Sequence, residues 1–324
     1  MKTMSKYIGR KINVWFGKES TRWTAVAPAI YVPKASLDFE EKSEKVIDES
    51  SIGVIEDSFD GHVVKQYAEW NFECNVYANA IWYILLNVFG AITTTSSGGA
   101  YSHAFEVDET NQHKSLTIWL ADDTQDKQFA LAMINSLELS AEVGDFLKAN
   151  ANFKSKKGAN ATLTPSYSTD YAMLAKHVQV FLADDLSWLD SATAINATNI
   201  SLTINKNLED VDVLGTVEPN DFCNTQFGVE WTVELLWDDA TYKTLYMDWT
   251  KKAMRIKIID SNDTIGTSSN PTLTIDLASV IMTEFAKTQD NDALVRQSIT
   301  FKALYSMTDS SMISATLLNT QSSY

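Results

Sequence analysis

Apolar and polar positions alternate most cleanly over residues 68–76. Ala68, Trp70, Phe72, Cys74 and Val76 are interleaved with Glu69, Asn71, Glu73 and Asn75. A period of two predicts a strand with one face on a core and the other in water. The same pattern sets Val229, Trp231, Val233, Leu235 and Trp237 against Glu230, Thr232 and Glu234, with Leu236 as the exception. Further alternating sets fall at Leu37 and Phe39, at Ile200, Leu202 and Ile204, at Leu116, Ile118 and Leu120, and at Leu273, Ile275 and Leu277. Two late sets are Leu147, Ala149, Ala151 and Phe153 against Lys148, Asn150, Asn152 and Lys154, and Ile299, Phe301, Ala303 and Tyr305 against Ser298, Thr300 and Lys302. The spacing changes to three and four at Ala78, Ile81, Trp82, Leu85 and Phe89, which predicts a helix stopped at Gly90. Tyr242, Leu245, Tyr246 and Trp249 predict a second helix, with Asp238 or Asp239 placed to cap it.

These elements recur in order. Residues 12–16 match 178–182, residues 36–40 match 201–205, residues 52–56 match 214–218, and residues 69–73 match 230–234 with Glu-Trp-x-x-Glu in both. A period this long predicts two similar domains, at 1–165 and 166–324. The polar stretch 162–170, with Pro165, suits the boundary. Each half is predicted to be a mainly β unit, a sandwich or partial barrel with one packed helix and one long loop. The first long loop, residues 41–61, is acidic and yet holds Ile52, Val54 and Ile55; its counterpart, 207–226, holds Val211, Val213, Leu214 and Val217. Loops of this length are commonly functional. An arm onto a neighbouring subunit and an arm folded back on its own domain both fit the pattern.

Composition narrows the function. With 26 Lys+Arg against 42 Asp+Glu the net charge is −16, which argues against gripping DNA or anionic membranes through a basic face. The longest apolar run, 81–92, is broken by Asn87 and Gly90 and falls short of the ~18 residues of a spanning helix, so a soluble chain is expected. Two cysteines, Cys74 and Cys223, make no disulfide framework, although a single bridge stays open. The four histidines have no metal-ligand spacing, and no Walker loop or Gly-x-Ser-x-Gly occurs. The 93–102 stretch around Ser97-Gly98-Gly99 reads as a flexible surface loop. Glu69 and Glu73 lie about 13 Å apart along one strand, beyond a glycosidase pair. No cofactor and no enzyme activity are expected. A charged face present in both halves instead suggests a surface used by its position.

A strand, an acidic loop carrying Gly53-Val54-Ile55-Glu56-Asp57, a Glu-Trp strand and a helix, in that order, resemble the tail tube proteins of long-tailed, non-contractile bacteriophages. The resemblance runs from Lys34-Ala35-Ser36-Leu37 through Ile55-Glu56-Asp57-Ser58 to the 81–89 helix, and is weaker in the second half. It is closest to members with two tube folds in one chain. The resemblance implies rings that stack into a hollow tail tube, with three doubled chains giving pseudo-sixfold symmetry. It implies a virion protein, assembled in the host bacterial cytoplasm, that passes double-stranded DNA without sequence-specific binding. Implied partners are other copies of itself and the tape measure, tail terminator and tail-tip proteins, and no membrane. By the same resemblance Asp38, Glu40, Glu69, Asn71, Glu73, Ser201, Thr203, Glu230, Thr232 and Glu234 line the lumen, with Lys148, Lys154 and Lys302 sharing the wall. Glu49, Ile52, Val54, Ile55, Glu56, Val213, Leu214 and Val217 join successive rings, together with residues 1–11. The end, 306–324, has no place in this scheme. Alternatives are a ring component of a contractile or injection machine, and a carbohydrate-binding β-sandwich using Trp15 and Trp23.

Overall fold

The computed structural model describes residues 8–289, 291–292 and 294–322. In the first half the strands are β1 (Asn13–Lys18), β2 (Ile30–Val32), β3 (Lys34–Asp48), β4 (Asp60–Asn75), β5 (Gly90–Ser97), β6 (Ala100–Val107), β7 (Leu116–Ala121), β8 (Lys127–Glu142), β9 (Lys148–Lys156) and β10 (Ala159–Asn160), with helix α1 (Ile81–Phe89). In the second they are β11 (Val178–Ala183), β12 (Ala194–Ile195), β13 (Ala197–Asn205), β14 (Leu208–Val211), β15 (Asp221–Asn224), β16 (Gly228–Leu236), β17 (Lys252–Ile259), β18 (Thr272–Thr288), β19 (Arg296–Leu304) and β20 (Ile313–Asn319), with helix α2 (Thr241–Met247).

The chain is mainly β, and two layers enclose one core. In the first layer β3, β4, β9, β8, β13, β16, β19 and β18 pair in that order, all antiparallel, so one sheet crosses from the first half to the second. In the second layer β2–β1–β7–β8 has its counterpart in β12–β11–β17–β18. Strands β8 and β18 are long enough, at 16 and 17 residues, to serve both layers. Phe72, Phe153, Leu202, Trp231 and Phe301 lie in the single large core cluster that spans both halves. Trp231 stacks on Phe301 with centroids 5.5 Å apart.

The halves also share their irregularities. The β8–β9 register shifts between Ile134 and Ser136, and the β18–β19 register between Met282 and Glu284. Shifts between Leu116 and Ile118 and between Lys34 and Ser36 recur between Lys252 and Met254 and between Ala197 and Asn199. Because Phe39 pairs with Trp70 and Leu202 with Trp231, Phe39 corresponds to Leu202 and Ser36 to Asn199. The sequence match of 36–40 with 201–205 is therefore two residues out of register. A period-two pattern repeats itself at such a slip, so the apolar positions still coincide.

Other expectations change in detail. All nine residues of α1 are buried. Its start is met from the boundary segment: the Asp170 carboxylate accepts from the Asn79 and Ala80 amides at 3.0 Å. Its stop is Gly90, at φ +87°, where a Cβ would lie 2.8 Å from Asp108 Cβ and His113 Cγ. Helix α2 is short and half-buried through Tyr242, Leu245 and Tyr246; its N-cap is Ala240, with no side-chain cap, and Asp239 just before it accepts from the Thr241 amide, while Trp249 lies beyond the helix at φ 51° and is exposed. Residues 93–102 belong to the β5–β6 hairpin, turning at Gly98-Gly99, and not to a loose loop. Residues 313–319, unplaced by the sequence, form β20 between β18 and β6 and so tie the two halves together. Trp15 is buried with Trp119 and Leu163 and donates to the Ser166 carbonyl at 3.0 Å, whereas Trp23, Trp188 and Trp249 are exposed.

Candidate functional site: a polar sheet face and two arms

The eight-stranded sheet is apolar on its core side and polar on the other. Antiparallel partners share a face, so the pairings fix which residues lie together. One row runs Ser36, Glu73, Asn150, Glu138, Thr203, Glu230 and Lys302. The next begins at Asp38, Asn71, Asn152, Ser136 and Asn205. Another takes Ser140, Ser201, Thr232 and Thr300. Glu40 pairs with Glu69, Glu69 with Lys154, and Glu234 with Asn199 and Ser298. All ten residues selected from the sequence, Asp38, Glu40, Glu69, Asn71, Glu73, Ser201, Thr203, Glu230, Thr232 and Glu234, thus fall on one face, and none is buried.

Side chains bond laterally across this face. Ser201 Oγ donates to Glu138 at 2.7 Å across the junction of the halves, Asn152 Nδ2 donates to Ser136 Oγ at 2.9 Å, and the Thr232 and Thr300 hydroxyls lie 3.3 Å apart. Lys42 Nζ lies 2.6 Å from Glu40 and 3.8 Å from Glu69, and the Glu40 hydrogen bond raises its pKa. Asp38, Glu40, Glu69, Asn71, Asn152 and Lys154 line a shallow hollow of about 320 Å³. The sequence pattern as read above omits Ser136, Glu138, Ser140 and Glu142, because β8 is not marked there as a strand. Their signal is nonetheless present, since Leu137, Leu139 and Ala141 alternate with them.

The first arm is a hairpin, not a loop. Strands β3 and β4 stay paired out to Asp48 and Asp60, so only residues 49–59 remain as its tip, where 41–61 was expected. Alternation does not reveal this extension, because both faces are solvated there and Val46, Ile47, Val63 and Val64 lie exposed. At the tip Glu49 and Glu56 are exposed, as are Ile52, Val54, Ile55 and Phe59, with Ile55 fully so.

The second arm is anchored on the first half of its own chain. It carries the small β14–β15 hairpin and a 212–220 tip. The Gln66 amide donates to the Val217 carbonyl at 2.7 Å. Asp210 accepts from Lys65 at 2.9 Å and Lys154 at 2.8 Å, and Asp212 accepts from Lys65 at 2.8 Å. Burial pushes the Asp210 carboxyl up, but the hydrogen bonds from Lys154 and Lys65 outweigh it and hold the group below the usual carboxylate range. Lys154 is therefore neutralised from the side, and Lys148 pairs with Asp145 at 2.7 Å. Val213 and Val217 are exposed, and Leu214 is fully so. Both tips turn on a glycine at positive φ, Gly53 at 86° and Gly215 at 92°, where a side chain would be strained. Of residues 1–11, residues 1–7 lie outside the described residues; residues 9–11 form a short 3-10 turn, and the Gly9 carbonyl accepts from Lys34 Nζ at 2.9 Å.

Beneath the arms, polar groups lock the halves together. Lys206 of the second half is fully buried and donates to the Asn87 carbonyl at 2.6 Å, near the negative end of α1. Burial drives its pKa well below that of a free lysine. Arg22 pairs with Asp221 across the halves; within the first half Glu19, raised by burial, accepts from Ser115, Thr117 and the Leu131 amide. Both cysteines are free, and burial lifts the Cys74 thiol to about 12. No group of three His, Cys, Asp or Glu is placed to hold a metal ion, and no helix is long and apolar enough to cross a membrane, among the described residues.

Comparison with curated proteins returns no match. The family model described as phage tail tube protein matches residues 9–303, which takes in the polar face, both arms and both halves of the sheet, and the chain belongs to that family of structural phage tail proteins.

Proposed function

We propose that this chain polymerises into stacked rings that form the hollow tail tube of a long-tailed, non-contractile phage. In this reading the polar face of the eight-stranded sheet is the lumen wall. The observation that carries it is the continuity of that face across both halves, which places all ten selected residues on one surface. DNA carries about one negative charge per 1.7 Å, and basic proteins hold it by releasing its counterions. A conduit needs the opposite. Carboxylates such as Glu69, Glu73, Glu230 and Glu234 repel phosphate, the Asn, Ser and Thr groups are neutral, and two of the lysines are occupied by Asp145 and Asp210.

The shared strand order and matching register shifts support reading the chain as two copies of one tube fold, divided near residue 165. Three such chains then make a ring of six similar units. The projecting first arm, with Ile52, Val54 and Ile55 exposed at its tip, is the element that reaches the next ring. Exposed apolar clusters of this kind mark interaction surfaces. Leu214, at the exposed end of the second arm, joins the same contact. Tape measure, terminator and tail-tip proteins meet the tube along its lumen and at its ends. Assembly takes place in the host cytoplasm.

Electron microscopy of the purified protein tests this. Threefold rings or tubes with an open channel are expected. A protein that stays monomeric at high concentration, and also with tail initiators present, would overturn the reading.

A further inference from the structure

The segment between the halves docks on the first half, and the second half presents the same docking place uncovered. Met173 inserts between the ends of β4 and β9: its amide donates to the Val76 carbonyl at 2.9 Å, and its carbonyl accepts from the Leu147 amide at 3.0 Å. On either side of it Ala172 bridges to Tyr77 and Leu174 to Phe146. Met173 is fully buried, as is every residue of α1. The pairings make Trp237 and Val295 the counterparts of Val76 and Leu147. The bond from the Val76 amide to the Leu147 carbonyl, 2.8 Å, recurs from Trp237 to Val295 at 2.9 Å. Among the described residues, however, nothing takes the place of Met173: no backbone bond reaches the Trp237 carbonyl or leaves the Val295 amide, and no residue of α2 is buried. Leu236 and Leu294 beside this place are exposed, and further along β19 the buried Gln297 has a side-chain oxygen without a partner.

The chain start repeats the docking segment. Residues 9–11 and 175–177 each form a 3-10 turn leading into β1 and β11, closed by bonds of 2.9 Å from Lys11 to Ile8 and from His177 to Leu174. Ile8 thus stands where Leu174 does, Tyr7 where Met173 does and Lys6 where Ala172 does. Residues 172–174 dock on the unit that precedes their own, and the unit that precedes the first half is another chain. We infer that residues 6–8 of one copy bind as a short strand between the ends of β16 and β19 of a second copy, beneath α2, and this rests on the ring reading above. The Tyr77–Ala172 and Phe146–Leu174 bridges become Asp238–Lys6 and Leu294–Ile8 between copies.

The side chains fit this occupant. In strand addition the main chain supplies affinity and the side chains supply register. Asp238–Lys6 is an ion pair, and Leu294–Ile8 joins side chains that are 72% and 62% exposed in the single chain. Residues 1–11 carry Lys2, Lys6, Arg10 and Lys11 and no acid, while Asp238, Asp239 and Asp248 lie exposed at the two ends of α2. Tyr7 brings an apolar body to the place of Met173 and a hydroxyl to donate to Gln297. The first half needs no such donor, because Ala149 is the counterpart of Gln297. Only the helix cap is not carried over: Met4 stands at the position of Asp170, and Asp239 serves the start of α2 from its own chain.

A cysteine pair reads the docking directly, because bridged residues lie about 4.5–5.5 Å apart between Cα atoms, within the reach of a disulfide. The test uses Ile8→Cys with Leu294→Cys in a Cys223→Ser background, oxidised mildly and resolved on non-reducing gels. Covalent oligomers up to a closed trimer, lost on reduction, are expected. Ile8→Cys with Phe146→Cys should give none, because Leu174 already covers Phe146. A cross-link confined to single chains would show the segment folding back and overturn the second copy as occupant. Rings seen by microscopy without the Ile8–Leu294 link would overturn the docking and leave the ring reading standing. Absence of rings from the unmodified protein would overturn both. Charge reversal provides a second arm, read by ring yield: Lys6→Glu is expected to lower it several-fold, and adding Asp238→Lys to restore it. No recovery in a double variant that melts like the parent would also refute the docking.

Discussion

Replacing Asp210 by alanine removes the carboxylate that two lysines of the first half share. Lys65 and Lys154 lie 2.9 and 2.8 Å from it. The side chains are 17% exposed for Lys65 and Asp210 and 24% for Lys154. The cluster therefore lies between a surface pair, worth roughly 0–1 kcal/mol, and a buried pair, where loss of one partner costs roughly 3–5 kcal/mol. Lys65 keeps Asp212 at 2.8 Å, which limits the damage. We expect a loss of about 2 kcal/mol, or roughly 30-fold in the opening equilibrium. The loss is local, because Asp210 holds the second arm and not the core. Hydrogen exchange measures it: protection of the β14 and β15 amides falls, while that of β13 and β16 is unchanged. The pH dependence follows from the depressed carboxyl. A group whose folded pKa lies below its unfolded value stabilises fully above the unfolded value, about 4. The contribution fades as pH falls through the lower folded value. Acidification of the parent should thus loosen the arm as the substitution does, and Asp210→Ala should flatten that response. Arm protection unchanged within about threefold, or an equal fall across the whole sheet, would refute the reasoning.

Other outcomes follow from packing and from the arms. Gly90→Ala meets both a positive φ and contacts at 2.8 Å, so a loss of roughly 2–4 kcal/mol is expected, read as a lower thermal midpoint. Trp231→Ala empties the centre of the core and should cost roughly 3–5 kcal/mol by denaturant unfolding. Deleting residues 49–59 should leave the circular dichroism and melting curve intact while abolishing tube growth; unchanged polymerisation would show that the first arm is not the joining element. Replacing Glu69, Glu73, Glu230 and Glu234 together by lysine should permit assembly and slow DNA ejection, and failed assembly would place these residues in an interface instead.

Much of the sheet is legible in the sequence because half-buried strands write their faces into it. Alternation alone assigns Glu69, Glu73, Glu230 and Glu234 to one face, since burial of Trp70 and Trp231 fixes its phase. Three kinds of feature are not legible. A two-residue slip leaves alternation unchanged, so the match of Ser36 is displaced from Asn199 to Ser201. The stem of the first arm is solvated on both faces, so nothing in its pattern separates strand from loop. Contacts between the halves, such as Lys206 on the Asn87 carbonyl or β20 on β6, join residues distant in sequence, and no local pattern announces them. The second arm shows the same limit, because its hold on the first half depends on Asp210 finding Lys65 and Lys154.

The central claim is that the polar face of one continuous sheet lines a channel. A three-dimensional electron microscopy reconstruction of the assembled protein tests it most directly. The account predicts rings of three chains with Glu69, Glu73, Glu230 and Glu234 turned toward an open axis. A reconstruction with those residues on the outer surface, or within contacts that close the channel, would contradict it.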